Sequence, residues 1–474
     1  MAPPEMLSSG EQDRGAPHVV FIPSAGMGHL FPFFRFITAL SSHDVDISVV
    51  TVLPTVTTAE ADHFAALFTA LPRIRRINFN LLPLDASAFP GADPFFLRWE
   101  SLRRSAHLLG PLLAGATPSM SAVITDVTLA SQVIPIVKDE LHLSCHILFP
   151  SSTTMLSVCA YFPTYLDGAN ADHVVSDVDV PGVRRFTKAT LPQALHDPNN
   201  LFTKQFVANG RGFTKADGFL LNTFEALEPE AIAALRGGKV IPCFPPVFTV
   251  GPLKSMIPAE SEKAGAGSPM AWLDEQPARS VVYVAFGNRC AVTLDQIREI
   301  AAGLEASSFR FLWVLKTTVV DREDTVELKD VLGDGFLERT QGRGLVTKAW
   351  VDQEAVLNHP AVGLFLSHSG WNSVLEAAVG GVPLLAWPRL GDHHVNATAM
   401  VSGGVGVWME HWSWDGEDRL VSGEEIGEKL KEVMADETVR ARVAKVREEA
   451  AKAVDEGGST YRSMQEFVAK LKAN

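Results

Sequence analysis

The 474-residue sequence has few cysteines and no excess of basic residues. Its four cysteines, Cys145, Cys159, Cys243 and Cys290, show neither CxxC nor zinc-ligand spacing, which argues against a disulfide framework and predicts reduced thiols, as in the cytosol. Aspartate and glutamate outnumber lysine and arginine by 55 to 41, which gives a net charge of −14. Because a negative field attracts neither nucleic acid nor an anionic membrane surface, neither is expected as a partner.

Long apolar runs are also missing. The first sixteen residues are polar and mixed in charge, without the apolar core of a signal peptide, and no unbroken apolar run reaches membrane-spanning length. We therefore expect a disordered tail over residues 1–16 and a cytoplasmic protein without stable membrane insertion. The 46% of apolar residues are ample for large cores, and the length allows two to four domains.

Short apolar runs alternate with helix-length segments along the chain, and this alternation predicts parallel α/β sheets. The predicted strands are 18–23, 47–53, 77–82, 122–125, 144–149, 218–222 and 248–253 in the first half, then 280–286, 311–315, 345–350, 362–366 and 382–386. Residues 254–269 have the composition of a linker. We predict an N-terminal domain over 17–253, a C-terminal domain over 270–455 and a last helix within 456–474.

The most informative stretch runs from Trp350 to His393. It reads as a buried strand, a polar turn, a helix beginning at Trp371 and a second apolar strand. A helix N-terminus in such a unit directs unpaired N–H groups and a partial positive charge toward a bound phosphate. Suitable side chains stand around that point: His368, Asn372 and Ser373 for a phosphate, Glu376 for a ribose, Trp350 for a base, and Asp392 with His393 for sugar hydroxyls.

The chain also opens with a strand, a glycine turn and a helix that begins near His29. An NAD-binding oxidoreductase would begin in this way too, but Phe31 occupies the place of the third glycine of its fingerprint, so that alternative is weak. A helix N-terminus disfavours a protonated histidine, and a neutral imidazole can act as a base. From local sequence alone, a capping or packing role for His29 is as well supported as a chemical one.

The 44 residues from Trp350 to His393 resemble the donor box of plant family-1 UDP-dependent glycosyltransferases. The matching positions are Gln353, His359, His368, Gly370, Trp371, Asn372, Ser373, Glu376, Gly381, Val382, Pro383, Trp387, Pro388 and Asp392, with Asn396 just beyond the box. The departures are Val351 and Asp352 for the usual Ala-Pro, Ser369 for Cys, and His393 for a frequent Gln.

The resemblance implies the GT-B arrangement, in which two Rossmann-like domains with parallel sheets face each other across a cleft and the last helix returns to the first domain. It implies a UDP-sugar as co-substrate, with uracil stacked on Trp350 and the ribose held by Gln353 and Glu376. His368, Asn372 and Ser373 would hold the diphosphate, so that no metal and no further cofactor are expected. Gly28, Asn288, Gly370 and Trp371 complete the predicted donor site.

The same resemblance implies a catalytic pair in the first half. A histidine directly after a glycine and downstream of a strand-ending proline, here Gly28 and Pro23, is the family's general base, which gives this role to His29. Asp126 approximately matches the aspartate that orients the base, although an aspartate just past a strand is also readable as a turn or N-cap residue.

The order Asp126-Val127 resembles the Asp-Ile order of cereal flavonoid C-glycosyltransferases, whereas O-glucosyltransferases commonly have Ile-Asp. Stretches at 22–30, 93–98, 159–167, 193–199 and 350–353 are similar to the same group. We therefore expect an inverting C-glycosyltransferase that acts on flavonoid-type polyphenols such as 2-hydroxyflavanones or dihydrochalcones. A flavonoid O-glucosyltransferase that uses UDP-glucose is the alternative within the class. A nucleotide-sugar binding protein without turnover is a further alternative, against which the catalytic pair speaks.

His393 is the position that bears on the donor sugar. In the resembled family a histidine there is associated with UDP-arabinose or UDP-galactose, while UDP-glucose stays possible. For the acceptor, Phe95, Phe149 and Phe202 are the candidate contacts, since small-molecule sites are largely apolar. A monomer is expected.

Overall fold

The computed structural model describes residues 16–89, 94–168, 175–254, 268–287, 292–318, 325–412 and 419–473. The strands of the first half are β1 His18–Ile22, β2 Asp46–Leu53, β3 Arg75–Asn80, β4 Ala122–Asp126, β5 Ser144–Phe149, β6 Val178–Val180, β7 Arg184–Phe186, β8 Gly218–Leu221 and β9 Val247–Thr249. Those of the second half are β10 Val281–Ala285, β11 Arg310–Val314, β12 Gly344–Thr347, β13 Val362–Ser367, β14 Leu384–Ala386 and β15 Gly406–Trp408.

Helices connect these strands. In the first half they are α1 Met27–Leu40, α2 Thr58–Ala70, α3 Pro94–Ser105, α4 Leu109–Ala114, α5 Ala130–Pro135, α6 Thr153–Gly168, α7 Leu201–Gly212 and α8 Pro229–Arg236. In the second half they are α9 Pro269–Asp274, α10 Leu294–Ser307, α11 Leu328–Leu332, α12 Asp334–Arg339, α13 Gln353–Leu357, α14 Trp371–Gly380, α15 His393–Ser402, α16 Gly423–Ala435, α17 Glu437–Val454 and α18 Ser459–Ala473.

Two parallel sheets organise the two halves. The first has the order β3-β2-β1-β4-β5-β8-β9 and the second the order β12-β11-β10-β13-β14-β15, while β6 and β7 form a separate antiparallel pair. Central strands such as β1 and β10 are buried at every residue because helices cover both sheet faces, which explains their mainly apolar sequences. The predicted fold class, two Rossmann-like domains in the GT-B arrangement, is confirmed.

Each sheet has one place where the direction of its strand order reverses. In the first sheet it lies between β1 and β4, where Ile22 pairs with Thr125, and in the second between β10 and β13, where Ala285 pairs with Ser367. The crevice beyond the carboxyl ends of the strands at such a point is where open α/β sheets bind ligands. The fold thus positions two crevices, one for each domain.

The last helix, α18, packs against the first sheet although it follows the second along the chain. Phe467 on α18 is fully buried. Its ring lies 5.4 Å from that of Phe248, 6.0 Å from that of Phe36 and 5.1 Å from the imidazole of His146. These contacts with α1, β5 and β9 make α18 part of the core of the first domain.

The strand prediction was wrong in several places, including 248–253, where β9 already ends at Thr249. The β6–β7 hairpin and β15 were not predicted, because strands of three residues are too short to show a hydrophobic period. The strand predicted at 345–350 was too long, since β12 ends at Thr347, whose hydroxyl accepts a hydrogen bond from the Ala349 N–H at 3.0 Å and turns the chain. Trp350 therefore lies beyond the sheet, at the edge of the crevice.

Two further sequence expectations concern cysteines and membranes. Cys145 and Cys159 are buried free thiols, whereas Cys243 is exposed. Among the described helices, none combines the length and the apolar character that crossing a bilayer requires.

Candidate active site

A cleft of about 2540 Å³ lies between the two domains and is lined from both. It brings together most of the predicted site residues: Gly28, His29, Phe149 and Phe202 from the first domain, and Trp350, Gln353, His368, Gly370, Trp371, Asn372, Ser373, Glu376, Asp392 and His393 from the second. Asn288 lies outside the described residues, as does the side chain of Phe95, whose backbone is in α3.

His29 and Asp126 meet at the strand-order reversal of the first sheet. His29 is the third residue of α1, which follows β1, and Asp126 is the last residue of the neighbouring β4. The Nδ1–H of His29 donates to Oδ2 of Asp126 at 2.8 Å. The imidazole is 31% exposed toward the cleft, while the carboxylate is fully buried behind it. This bond places the second ring nitrogen, Nε2, as the proton acceptor of a neutral histidine.

Thr128 fixes the other oxygen of the Asp126 carboxylate. Its backbone N–H donates to Oδ1 at 2.8 Å and its hydroxyl at 2.6 Å. Burial alone would raise the pKa of Asp126, but His29 and the two Thr128 bonds outweigh it and lower that pKa below its usual value. The carboxylate is therefore ionised at neutral pH and held in one orientation.

A buried glutamate shapes the turn in front of His29. Gly26 caps α1 with φ 96°, a conformation that favours glycine, and its N–H donates to Oε1 of Glu60 at 2.7 Å. The second oxygen of Glu60 accepts from the Val56 N–H at 3.0 Å. Glu60 thus fixes the loop that leads into α1, the helix that carries His29, and its place within the sequence of α2 does not reveal this role.

Helix α14 begins at the strand-order reversal of the second sheet, directly after β13. Its N-cap, Gly370, makes no side-chain capping bond, so the first-turn N–H groups face the cleft. Ser369, with φ 61°, closes the preceding turn by donating its hydroxyl to the carbonyl of His393 at 2.9 Å. Trp371 is buried and donates its indole N–H to the carbonyl of Asn222 at 2.9 Å, so its ring anchors α14 to the first domain.

Two glycines make room for the His368 imidazole. A Cβ added to Gly287 would come within 2.7 Å of Nε2, and one added to Gly370 would come within 2.6 Å. Burial, aided by the nearby His393, lowers the pKa of His368 well below its usual range. His368 is thus a neutral hydrogen-bonding group beside the helix N-terminus.

Glu376 carries hydrogen bonds on both carboxylate oxygens. Oε2 accepts from the Gln353 amide at 2.7 Å, and that amide also donates to the Ser373 hydroxyl at 2.9 Å. Oε1 accepts from the guanidinium of Arg35 at 2.6 Å. Because Arg35 belongs to α1, this ion pair crosses from one domain to the other.

Asp392 is also bound from across the cleft. Its Oδ2 accepts from the Ser151 hydroxyl, which follows β5, and from the Asn396 amide at 2.8 Å. A further contact between the domains joins the Asn372 amide to the Gly28 carbonyl at 3.2 Å, directly beside His29.

Comparison with known proteins shows to which family the chain belongs. The sequence profile described as "UDP-glucoronosyl and UDP-glucosyl transferase" matches residues 258–447. The chain is 60% identical over 465 residues to "UDP-glycosyltransferase CGT" of Oryza sativa subsp. indica, covering 98% of each chain. It is 53% identical to "UDP-glycosyltransferase 708A6" of Zea mays, again over 98% of each. The chain belongs to the UDP-glycosyltransferase family.

A solved structure that is similar in sequence also has a similar fold. The crystal structure of LpCGTa in complex with UDP superposes with a TM-score of 0.85 at 46% identity, over 96% of this chain and 99% of that one. The protein is therefore a UDP-glycosyltransferase with the GT-B fold.

The remaining predicted residues of this glycosyltransferase differ in accessibility. Trp350 is 49% exposed and presents its ring to the cleft, as a base-stacking role requires. His393 is 9% exposed, its Nδ1 accepts from the Leu390 N–H at 3.3 Å, and its ring meets that of His368 edge-on at 4.7 Å.

The two described acceptor candidates lie on the first-domain wall. Phe149 is buried at the end of β5, whereas Phe202 is 44% exposed, with its ring 5.9 Å from that of Phe206 on the same helix. Phe149 therefore forms part of the floor of the cleft, and Phe202 offers an accessible aromatic face.

No group of three or more His, Cys, Asp or Glu side chains in the described ranges has the arrangement of a metal site. The groups around the N-terminus of α14 that suit an anion are instead hydrogen-bond donors. His368, the Ser373 hydroxyl and the first-turn N–H groups are of this kind. Two first-domain residues that bind second-domain carboxylates were not identified from the sequence. They are Arg35, which binds Glu376, and Ser151, which binds Asp392.

Proposed function

We propose that this UDP-glycosyltransferase is an inverting C-glycosyltransferase of flavonoid-type polyphenols, with 2-hydroxyflavanone or dihydrochalcone-like acceptors. The observation that carries the proposal is the His29–Asp126 pair on one wall of the cleft, opposite the N-terminus of α14 on the other. A binding protein without turnover has no use for an oriented base facing the donor, so the pair favours an enzyme.

In the proposed reaction, Nε2 of His29 removes the proton of a phenolic hydroxyl. The ring carbon ortho to the resulting phenolate attacks the anomeric carbon from the face opposite UDP, and the bond to the diphosphate oxygen breaks with its electron pair, which inverts the anomer. The attacked ring carbon then loses its proton and the phenolate oxygen regains one, which restores the aromatic phenol. The products are a C-glycoside, UDP and one proton, and Asp126 stabilises the imidazolium formed at His29.

The donor is proposed to lie across the second domain. Uracil stacks on the exposed face of Trp350, and the ribose meets the Gln353–Glu376 pair, whose orientation is already set. The diphosphate lies at the N-terminus of α14, where His368 and Ser373 donate to it. These neutral donors and the helix dipole stabilise the departing charge, so the proposal includes no metal and no cofactor besides the UDP-sugar.

Transfer to carbon rather than oxygen is supported by two observations. Relatives that match nearly the full length of the chain carry CGT in their names. The order Asp126-Val127 also agrees with the C-glycosyltransferase pattern. A flavonoid O-glucosyltransferase would use the same base, and the bond formed in the product separates the two functions.

For the sugar we propose that His393 favours UDP-arabinose or UDP-galactose. Its place beside Asp392 at the N-terminus of α15, lining the cleft, supports this assignment. His393→Gln should shift the preference toward UDP-glucose, measured as the ratio of kcat/KM for the donors. An unchanged ratio would remove His393 from sugar selection.

The test of the function is a mass-spectrometric assay with a 2-hydroxyflavanone and UDP-glucose, UDP-galactose or UDP-arabinose offered separately. A C-glycoside fragments by cleavage across a retained sugar ring, and its C–C bond survives hot acid. Loss of the whole sugar would identify an O-glycosyltransferase instead. His29→Ala is the catalytic control, which should bind UDP normally and lose roughly 10²- to 10⁴-fold in kcat.

A further inference from the structure

We infer that Arg35 is a positioning residue for the nucleotide, which acts by orienting Glu376 for the ribose of the donor. The inference rests on the proposed role of Glu376 in ribose binding. Arg35 lies on α1, six positions after His29, and only 10% of its side chain is exposed. It reaches out of the first domain and makes its short contacts with carboxylates of the second.

The guanidinium binds two glutamates with one nitrogen. Its Nη2 lies 2.6 Å from Oε1 of Glu376 and 3.3 Å from Oε2 of Glu354. Glu376 is 11% exposed, so this ion pair is largely withdrawn from water, where charge-assisted hydrogen bonds are strong and directional. Glu354 is 27% exposed and more distant, so Arg35 is bound mainly to Glu376.

The carboxylate of Glu376 is fixed at both ends as a result. Gln353 holds Oε2 within the second domain, and Arg35 holds Oε1 from the first. A carboxylate has about four lone-pair sites, so two held oxygens still leave acceptor positions for ribose hydroxyls. Because both oxygens are already oriented, a bound ribose does not have to order the carboxylate, which lowers the entropic cost of binding.

The location of Arg35 extends this role to the assembly of the active site. The helix that holds the ribose carboxylate through Arg35 also carries the base His29. The Asn372–Gly28 contact joins the same helix to the N-terminus of α14. A donor that engages Glu376 therefore also contributes to the placement of α1 over the anomeric carbon.

The test compares ribose recognition with and without Arg35. UDP, 2′-deoxy-UDP and 3′-deoxy-UDP are titrated by calorimetry into the wild-type chain, Arg35→Met and Arg35→Lys, after the thermal midpoint of each has shown that it is folded. In the wild type, the deoxy analogue that lacks the ribose hydroxyl bound by Glu376 should bind on the order of 10-fold more weakly than UDP, as expected for a hydrogen bond to a charged group.

Arg35→Met should weaken UDP binding on the order of 10-fold and reduce the discrimination against the deoxy analogue to about 2- to 3-fold, because Glu376 is no longer oriented. Arg35→Lys, which keeps the charge, should recover part of the discrimination. With saturating donor and acceptor, Arg35→Met should lower kcat by less than it raises the KM for the donor, because the His29–Asp126 pair is intact while Arg35 also helps to place the helix that carries it.

Three results would overturn the inference. Equal weakening of UDP and both deoxy analogues would mean that Arg35 only holds the domains together. Tighter UDP binding by Arg35→Met would mean that Arg35 competes with the ribose for Glu376. Unchanged affinities with a lower thermal midpoint would mean a purely structural role.

Arg339→Met is the matched control. Arg339 is likewise paired with glutamate, here Glu305 alone at 2.6 and 2.9 Å, but it does not line the cleft. This variant should show wild-type discrimination. If the wild-type chain itself binds no UDP, the proposed nucleotide site fails, and that result is distinct from every outcome of the Arg35 variants.

Discussion

Asp126→Asn should abolish most turnover while leaving nucleotide binding intact. The reason lies in the hydrogen bonds on the two oxygens of the native carboxylate. Both Thr128 groups that bind Oδ1 are donors, so an asparagine at 126 must place its amide oxygen there and turn its NH₂ toward His29. The imidazole then accepts at Nδ1 and carries its proton on Nε2, which is the wrong tautomer for a base.

The size of the effect follows from the cost of restoring the productive tautomer. An N–H at Nδ1 would oppose the amide N–H, so two buried donors would lose their acceptors, at about 1–3 kcal/mol each. If the side-chain amide at position 126 rotated instead, both hydrogen bonds from Thr128 would be broken at a similar cost. We expect a loss of about 2–4 kcal/mol in transition-state stabilisation, or roughly 30- to 1,000-fold in kcat.

The assay is steady-state kinetics at saturating donor and acceptor, combined with calorimetric titration of UDP. Thr128→Val is the control, since it removes one of the two donors at Oδ1 and should cost only a few-fold in kcat. A kcat of Asp126→Asn within 3-fold of wild type, or an equal loss of UDP affinity, would refute the reasoning.

The folded-state pKa of Asp126 is lowered, so the ionised carboxylate stabilises the fold. This contribution to the free energy of unfolding is complete above the usual pKa of an aspartate and is lost only as pH falls through the lower folded-state pKa.

Three further perturbations test other parts of the structure. Burial, with a smaller effect of Lys470, lowers the pKa of His146 to about 4. The free energy of unfolding should therefore decrease as pH falls from about 6.5 toward 4, by about 2 kcal/mol at pH 5, because the unfolded chain takes up the proton first. His146→Leu should remove this loss in urea unfolding at pH 7 and 5. Gly370→Ala would force a Cβ to within 2.6 Å of Nε2 of His368, and calorimetry should show UDP affinity lowered on the order of 10-fold, against near-normal affinity if the ring simply shifts. Phe202 is 44% exposed, so Phe202→Ala should raise the acceptor KM several-fold at an unchanged thermal midpoint, whereas a lower midpoint would make it a core residue.

The pairing of His29 with Asp126 was predicted from the resemblance to plant family-1 glycosyltransferases, and the parallel sheet explains why the two residues meet. In such a sheet the carboxyl ends of neighbouring strands share an edge, and β1 and β4 are neighbours across the strand-order reversal. His368, Asn372 and Ser373 lie close together for a related reason, since they belong to one strand, turn and helix unit at the start of α14. The confirmed fold class rests on the same alternation of strands and helices.

The cross-domain contacts could not be predicted in this way. Arg35 and Glu376 are 341 residues apart, and Ser151 and Asp392 are 241 apart. Each of these residues is ordinary in its own segment, since an arginine on α1 and a serine after β5 are typical of a helix and a loop. Their partners depend on the relative orientation of two sheets, which no hydrophobic period encodes. The role of Glu60 was missed for the same reason, because its partners lie outside α2.

The packing of α18 determines how this enzyme can be recombined with its relatives. A chimera joined only within residues 254–269 would combine the first sheet of one protein with the last helix of the other. Phe467 would then meet new neighbours in place of Phe36, His146 and Phe248. The exchangeable first domain is therefore discontinuous in sequence, and a productive graft must carry 459–473 together with the N-terminal segment.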